Sequence, residues 1–126
     1  MPRRQITSSQ CPRPIGPYSQ GIAAGGLLFV SGQIPLDPET GRLIEGDIEA
    51  QTEQVLKNLV AVLHAARLNT ENVVKTTIYL SDLADFPKVN AVYGRHFASE
   101  PPARSTVGVA ALPAGARVEI DAIAAF

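Results

Sequence analysis

The sequence predicts an α+β fold, with two helices packed on one face of a mixed β-sheet. Three observations predict it. Between Asp47 and Arg67 apolar or small residues recur at alternating steps of four and three, the period of a helix. Residues 73–80 and 117–126 alternate with the period of two of a strand. Proline- and glycine-rich punctuation separates these segments at short intervals.

Taken in order, residues 3–8 can form a short strand. The stretch Cys11-Pro12-Arg13-Pro14-Ile15-Gly16-Pro17 then reads as an irregular loop, because proline removes backbone donors and fixes φ. Gly21 to Val30 reads as two strands around a hairpin turn at Gly25-Gly26. Asp37-Pro38-Glu39-Thr40-Gly41 is a second turn, with proline at its first corner. The helical stripe consists of Ile48, Thr52, Val55, Leu59, Val62 and Ala66, while Glu49, Glu53, Lys57 and Arg67 fall outside it, and Asp47 is placed to cap the first turn.

The strand at 73–80 has Val74, Thr76, Ile78 and Leu80 on one face and Val73, Lys75, Thr77 and Tyr79 on the other. A second helix carries the stripe Phe86, Val89, Tyr93 and Phe97, with Pro87 tolerated in its first turn. Residues 104–111 and 117–126 read as a final hairpin joined through Leu112-Pro113-Ala114-Gly115-Ala116. The last strand is apolar on one side through Val118, Ile120, Ala122 and Ala124, and partly so on the other through Ile123 and Ala125. Two helices cover one face only, so the second face is expected to pack against another copy of the chain.

Composition narrows the function classes. The chain has 126 residues, 45% of them hydrophobic and 18% charged, as expected for one domain spanning 1–126. A formal net charge of −1 supplies no field for nucleic acid or an anionic membrane. No apolar run approaches the roughly 20 residues of a membrane span, and no apolar segment follows the charged N-terminus as in a secretory signal. Cys11 is the single cysteine, so no intrachain disulfide is possible, and the expected location is the cytoplasm.

Few residues suggest chemistry on their own. His64 and His96 lack the spacing of metal ligands, so no metal is expected. Gly25-Gly26 lacks the pattern of a phosphate loop, Ser105 lacks a nucleophile elbow, and only Arg13 stands near Cys11 to activate it. Asn90 borders the apolar stripe of the second helix, where its amide either ties the helix to a neighbour or lines a ligand site. Arg104 follows Pro101-Pro102-Ala103 at the start of a strand. Its planar fork suits a carboxylate, although an edge arginine can equally discourage aggregation or pair with a neighbouring acid. Glu119 and Asp121 interrupt the apolar final strand on the face shared with Arg117, facing either solvent or an interface where a carboxylate can serve as a base.

The stretches Ile15-Gly16-Pro17-Tyr18-Ser19-Gln20, Val30-Ser31-Gly32-Gln33-Ile34-Pro35, Gln54 through Asn58, Asp85-Phe86-Pro87-Lys88-Val89-Asn90 through Tyr93, and Pro102-Ala103-Arg104-Ser105 resemble the RidA/YjgF family of enamine/imine deaminases. Leu112-Pro113 and Val118-Glu119-Ile120 with Ala122-Ile123-Ala124 complete a resemblance that runs nearly the whole chain. It implies a chorismate-mutase-like fold assembled as a homotrimer, with a barrel-like core and clefts between subunits. It places a carboxylate-binding arginine at Arg104, a water-activating glutamate at Glu119 and a pocket tyrosine at Tyr18. It also places the substrate-binding positions at Ser31, Gly32, Asn90 and Thr106. Many members carry cysteine where this chain has Thr106, so thiol chemistry is excluded there and a backbone N–H contact remains.

The implied activity is cofactor-free hydrolysis of 2-imino and enamine acids, such as 2-iminobutanoate, 2-iminopropanoate and its tautomer 2-aminoacrylate, to 2-oxo acids and ammonia. The alternative is a non-catalytic trimeric sensor of 2-oxo acids, which needs Arg104 but not Glu119. RNA cleavage, a third possibility within the family, is disfavoured by the charge. The register of the last hairpin decides whether Arg104 and Glu119 share a face.

Overall fold

A computed structural model of the chain describes residues 2–126. Its first third is β1 (Arg4–Ile6), the proline-rich loop, then β2 (Gly21–Ala24) and β3 (Leu27–Gln33) joined by a tight turn. Gly25 and Gly26 both take positive φ in that turn, at 60° and 78°, a conformation that penalises a Cβ. Helix α1 (Ile48–Ala65) starts at Asp47, whose side chain accepts from Ala50 N–H and so satisfies one of the first turn's free donors. All six residues of its predicted stripe are buried. After it come β4 (Val73–Leu80), α2 (Phe86–His96), β5 (Ala103–Gly108) and β6 (Val118–Ala125).

The six strands form one sheet in the order β1-β2-β3-β6-β4-β5, parallel only between β4 and β5. This corrects the hairpin expected for the last two strands. β4 lies between them, because the crossover through α2 lays β5 parallel to β4 at the sheet edge and β6 occupies β4's other flank. The connecting segment bends over the end of β4, where Val109 N–H donates to Leu80 O at 2.8 Å and Ser81 N–H to Arg117 O at 3.2 Å. Adjacent position in sequence therefore does not become adjacent position in the sheet.

Both helices pack on one face, over Leu28, Val30, Ile78, Leu80, Val118, Ile120, Ala122 and Ala124. Among the described residues no helix covers the other face, where Phe29, Lys75, Thr77, Tyr79, Glu119, Asp121 and Ile123 remain half-buried or exposed. Val73 and Val74 exchange their expected places. The β4–β6 register shifts between Val73 and Lys75, so Val73 is buried and Val74 is 47% exposed. No described helix is long and apolar enough to cross a membrane.

Two buried amides fix the loops flanking the sheet. Asn58 of α1 donates to the carbonyls of Ile34 and Leu36, at 3.2 and 2.9 Å, and accepts from Gln54. Gln20 donates to Ser8 O, Cys11 O and Pro12 O and accepts from Ser8 N–H, which pins the proline-rich loop to the sheet. Apart from the Gln54 contact, these bonds satisfy backbone groups of the loops.

Candidate active site

The residues singled out by the sequence fall into two groups. The first surrounds Arg104 on β5. Arg104 Nη1 donates to Asn90 Oδ1 at 2.7 Å, and the guanidinium carbon lies 4.9 Å from the Tyr93 ring centroid and 5.4 Å from that of Phe86. These α2 partners meet the strand because Phe86, Asn90 and Tyr93 are four and three residues apart, on one side of the helix. Arg104 makes no ion pair among the described residues, so the reading in which it serves a neighbouring acid is not realised. The guanidinium borders a cavity of about 480 Å³ lined also by Asn90, Tyr93, Phe97 and Pro102. Thr106 stands two residues further on the same strand face, and its Oγ1 is buried with no hydrogen-bond partner among the described residues.

The second group lies around Glu119 on β6. A Cβ built on Gly32 would come within 2.9 Å of Glu119 Cδ, so the carboxylate rests directly over that glycine. Any side chain there displaces it. The space arises where β3 bulges: its register against β6 shifts between Val30 and Gln33. Ser31 Oγ donates to Ser19 O at 2.5 Å and ties the bulge to the loop that carries Tyr18. Tyr18 is 48% exposed, its hydroxyl accepts from Ile15 N–H at 3.3 Å, and it lines a cleft of about 20 Å³ together with Gly32 and Arg13. Burial, and secondarily the charge of Asp121, hold the Glu119 carboxyl above its ordinary pKa. Asp121 itself accepts from Tyr79 Oη at 3.1 Å.

Within one chain the two groups do not meet. Arg104 is aligned with Thr76 on β4, and Glu119 with Tyr79. Thr76 and Tyr79 are three residues apart on one strand, so they point to opposite faces. Thr76 is buried under the helices and Tyr79 lies on the uncovered side. Arg104, Asn90 and Thr106 therefore belong to the helix side, and Tyr18, Ser31, Gly32 and Glu119 to the other.

Two further pairs of titratable residues meet locally. Arg117 pairs with Asp85 at 2.8 Å instead of joining Glu119 and Asp121, and His96 Nε2 meets Glu53 Oε2 at 2.8 Å. Among the described residues no group of three or more His, Cys, Asp or Glu could hold a metal ion. Cys11 is 2% exposed, donates to Gln33 Oε1, and burial pushes its thiol up to about 12. It has no thiolate character. A cavity of about 890 Å³ is an open groove along α1 that contains none of the sequence-predicted site residues. Two of its polar side chains, Asn58 and His96, are already engaged in the contacts described above.

Sequence reasoning missed Phe86 and Tyr93 as site residues, because an aromatic stripe at helical spacing signals core. The available clue was the polar Asn90 set between them.

The sequence model of the family described as Endoribonuclease L-PSP matches residues 8–126. Protein DfrA of Myxococcus xanthus is 56% identical over 126 residues, covering 98% of this chain and 96% of its own. The human 2-iminobutanoate/2-iminopropanoate deaminase is 45% identical over 122 residues, covering 97% of this chain and 89% of its own. The crystal structure of the Escherichia coli YjgF gene product superimposes with a TM-score of 0.92 at 43% identity, covering 97% of this chain and 98% of that one. Its likeness extends over the same six-stranded mixed sheet and two helices. The chain belongs to the RidA/YjgF family, the family described as Endoribonuclease L-PSP.

Proposed function

We propose that the protein hydrolyses 2-imino acids such as 2-iminobutanoate and 2-iminopropanoate, in clefts that form between copies of the chain. The observation that carries this reading is Arg104: a guanidinium oriented by Asn90 and two aromatic rings, bordering a cavity, with no acid of its own among the described residues. Such a group suits the carboxylate of a small substrate. The 45% identity to a human protein named for this activity supports the same substrate class.

The second half of the reaction falls to Glu119. Water adds to C2 of the protonated imine while Glu119 accepts one of its protons, giving a tetrahedral carbinolamine; Glu119 returns that proton to nitrogen, and the C–N bond breaks as the remaining hydroxyl proton leaves to solvent, giving a 2-oxo acid and ammonia. A carboxyl whose pKa is raised by burial is a better proton acceptor than a solvated one. Gly32 gives this carboxylate its space, Ser31 fixes the loop beside it, and Tyr18 closes the cleft. Asn90 orients Arg104, and the Thr106 N–H offers the carboxylate a second donor. The reaction so written uses no cofactor.

Because Arg104 and Glu119 occupy opposite faces, one cleft takes Arg104 from one subunit and Glu119 from the next. A homotrimer with the uncovered sheet faces turned inward into a barrel-like core meets both requirements, and covers Phe29 and Ile123. We place it in the cytoplasm. Imine hydrolysis is favoured over RNA cleavage because a net charge of −1 supplies no phosphate-binding field.

The test is Arg104→Ala, assayed on imines generated in situ by an amino-acid oxidase. Turnover is expected to fall by about 10²-fold or more with the oligomer intact, since positioning and charge pairing are lost together. Near wild-type turnover would remove Arg104 from its role.

A further inference from the structure

We infer that Tyr93 is a positioning residue for Arg104: the face of its ring sets the plane of the guanidinium, while its hydroxyl contact with Thr76 serves the stability of the fold. This rests on the reading of Arg104 as the carboxylate anchor. One hydrogen bond, Arg104 Nη1 to Asn90 Oδ1, fixes a single nitrogen of the fork and leaves the group free to turn about that contact. A bidentate grip on a carboxylate needs the plane fixed as well. The Tyr93 ring, with its centroid 4.9 Å from the guanidinium carbon, supplies the surface that fixes it, and Phe86 at 5.4 Å flanks it.

The ring is itself braced at both ends. The Tyr93 hydroxyl and the Thr76 hydroxyl are 2.7 Å apart in the core, and the Phe97 ring packs against Tyr93 with centroids 4.6 Å apart. Thr76 is also the residue aligned with Arg104 across β4 and β5. A closed circuit results: strand β5 carries the arginine, the arginine rests on the tyrosine, and the tyrosine is tied back to the strand that pairs with β5. The circuit lies wholly within one chain, so it exists before any second copy arrives.

A purely structural Tyr93 makes a different prediction. Its loss would lower stability, and activity would follow stability. Under the positioning role the two separate. Tyr93→Phe keeps the ring face but orphans the Thr76 hydroxyl, so it lowers the melting temperature and leaves carboxylate binding alone. Tyr93→Leu removes the face.

The experiment measures three quantities for wild type and both variants: the dissociation constant for pyruvate by calorimetry, KM and kcat on 2-iminopropanoate made in situ, and the melting temperature. Tyr93→Leu is expected to raise both the pyruvate dissociation constant and KM about tenfold with kcat within about twofold, the pattern of a lost binding contact. Tyr93→Phe is expected within about twofold of wild type in binding despite its lower melting temperature. A folded Tyr93→Leu with wild-type binding and KM, or with its loss confined to kcat, overturns the proposal. So does a tenfold weakening in Tyr93→Phe, which stands as the deciding variant if Tyr93→Leu does not fold. A wild type that binds pyruvate without turning over imine defeats the deaminase reading and leaves Tyr93 to be judged on pyruvate alone. A wild type that binds no pyruvate at millimolar concentration overturns this proposal whatever its turnover.

Discussion

The two sides of the sheet prepare their residues by opposite means. On the helix side, Arg104 is surrounded by partners from its own chain: Asn90 at 2.7 Å, two aromatic rings, and a threonine behind one of them. On the other side, Glu119 rests half-buried over a glycine in a strand bulge, destabilised as an anion by burial and by Asp121. One side holds a charge by contacts. The other holds a carboxylate by withholding them. On the proposed roles, binding needs an ion fixed in place, whereas proton transfer needs an ion poorly satisfied, and the sheet between them keeps the two demands apart.

The widest separation between the two sides appears in a subunit-mixing experiment. Arg104→Ala and Glu119→Gln are each expected to lose about 10²-fold or more in turnover. If each cleft draws one residue from each of two subunits, random equimolar mixing of the two inactive proteins, unfolded and reassembled together, gives clefts with both native residues in about one case in four. About a quarter of wild-type turnover should then return. A site contained in one chain would return none, and that result would dissolve the distinction between the two faces.

A smaller effect is expected from Gly32→Ala. The new methyl group meets the Glu119 carboxylate, which must swing away from the bulge. Turnover should drop about tenfold, as for a misplaced catalytic group, with pyruvate binding within about twofold because the carboxylate is held by Arg104, whose contacts with Asn90 and Tyr93 the methyl group does not touch. Equal losses in kcat and in pyruvate affinity would show that the two sides are mechanically coupled.

How much of this was legible in the sequence depended on the range of the interaction. The α1 stripe and its Asp47 cap were, because a helix repeats every 3.6 residues and its cap is local. The Gly25-Gly26 turn was, for the same reason. The placement of β6 between β3 and β4 was not, since nothing local distinguishes a final hairpin from two strands parted by a third. With β4 between β5 and β6, the relation of Arg104 to Glu119 follows from two registers on β4 instead of one hairpin register. The resemblance named Tyr18, Ser31, Gly32, Asn90 and Glu119 without saying that they divide between two faces. Gln20 and Asn58 stand in the resembling stretches, but their role in holding loops was not legible there, because their partners are backbone carbonyls up to 24 residues away and a buried amide leaves no periodic trace.

The least conspicuous difference between the two sides is one of stability, and it runs against activity. Glu119 has a pKa above its ordinary value of 4.5 in the folded chain, with burial as the first cause and Asp121 as the second. A carboxyl whose pKa is raised on folding binds its proton more tightly in the folded state than in the unfolded one, so the proton favours folding. Below the unfolded value this contribution is fully present; as pH rises through the folded value it is lost, and the ionised group then weighs on the native state. Glu119→Gln replaces that anion with a neutral amide of the same shape. The variant should therefore melt a few degrees higher than wild type at pH 7, and the gap should close as pH falls toward the ordinary glutamate range. Part exposure of the side chain moderates the size of the shift. With Glu119 in its proposed role, the same raised pKa is expected to set the acidic limb of the turnover profile above the ordinary glutamate range, since only the ionised form accepts the proton from water. A Glu119→Gln protein that melts lower than wild type at pH 7 would mean that the carboxylate is held by favourable contacts, as Arg104 is, and the contrast between the two faces would fail at its base.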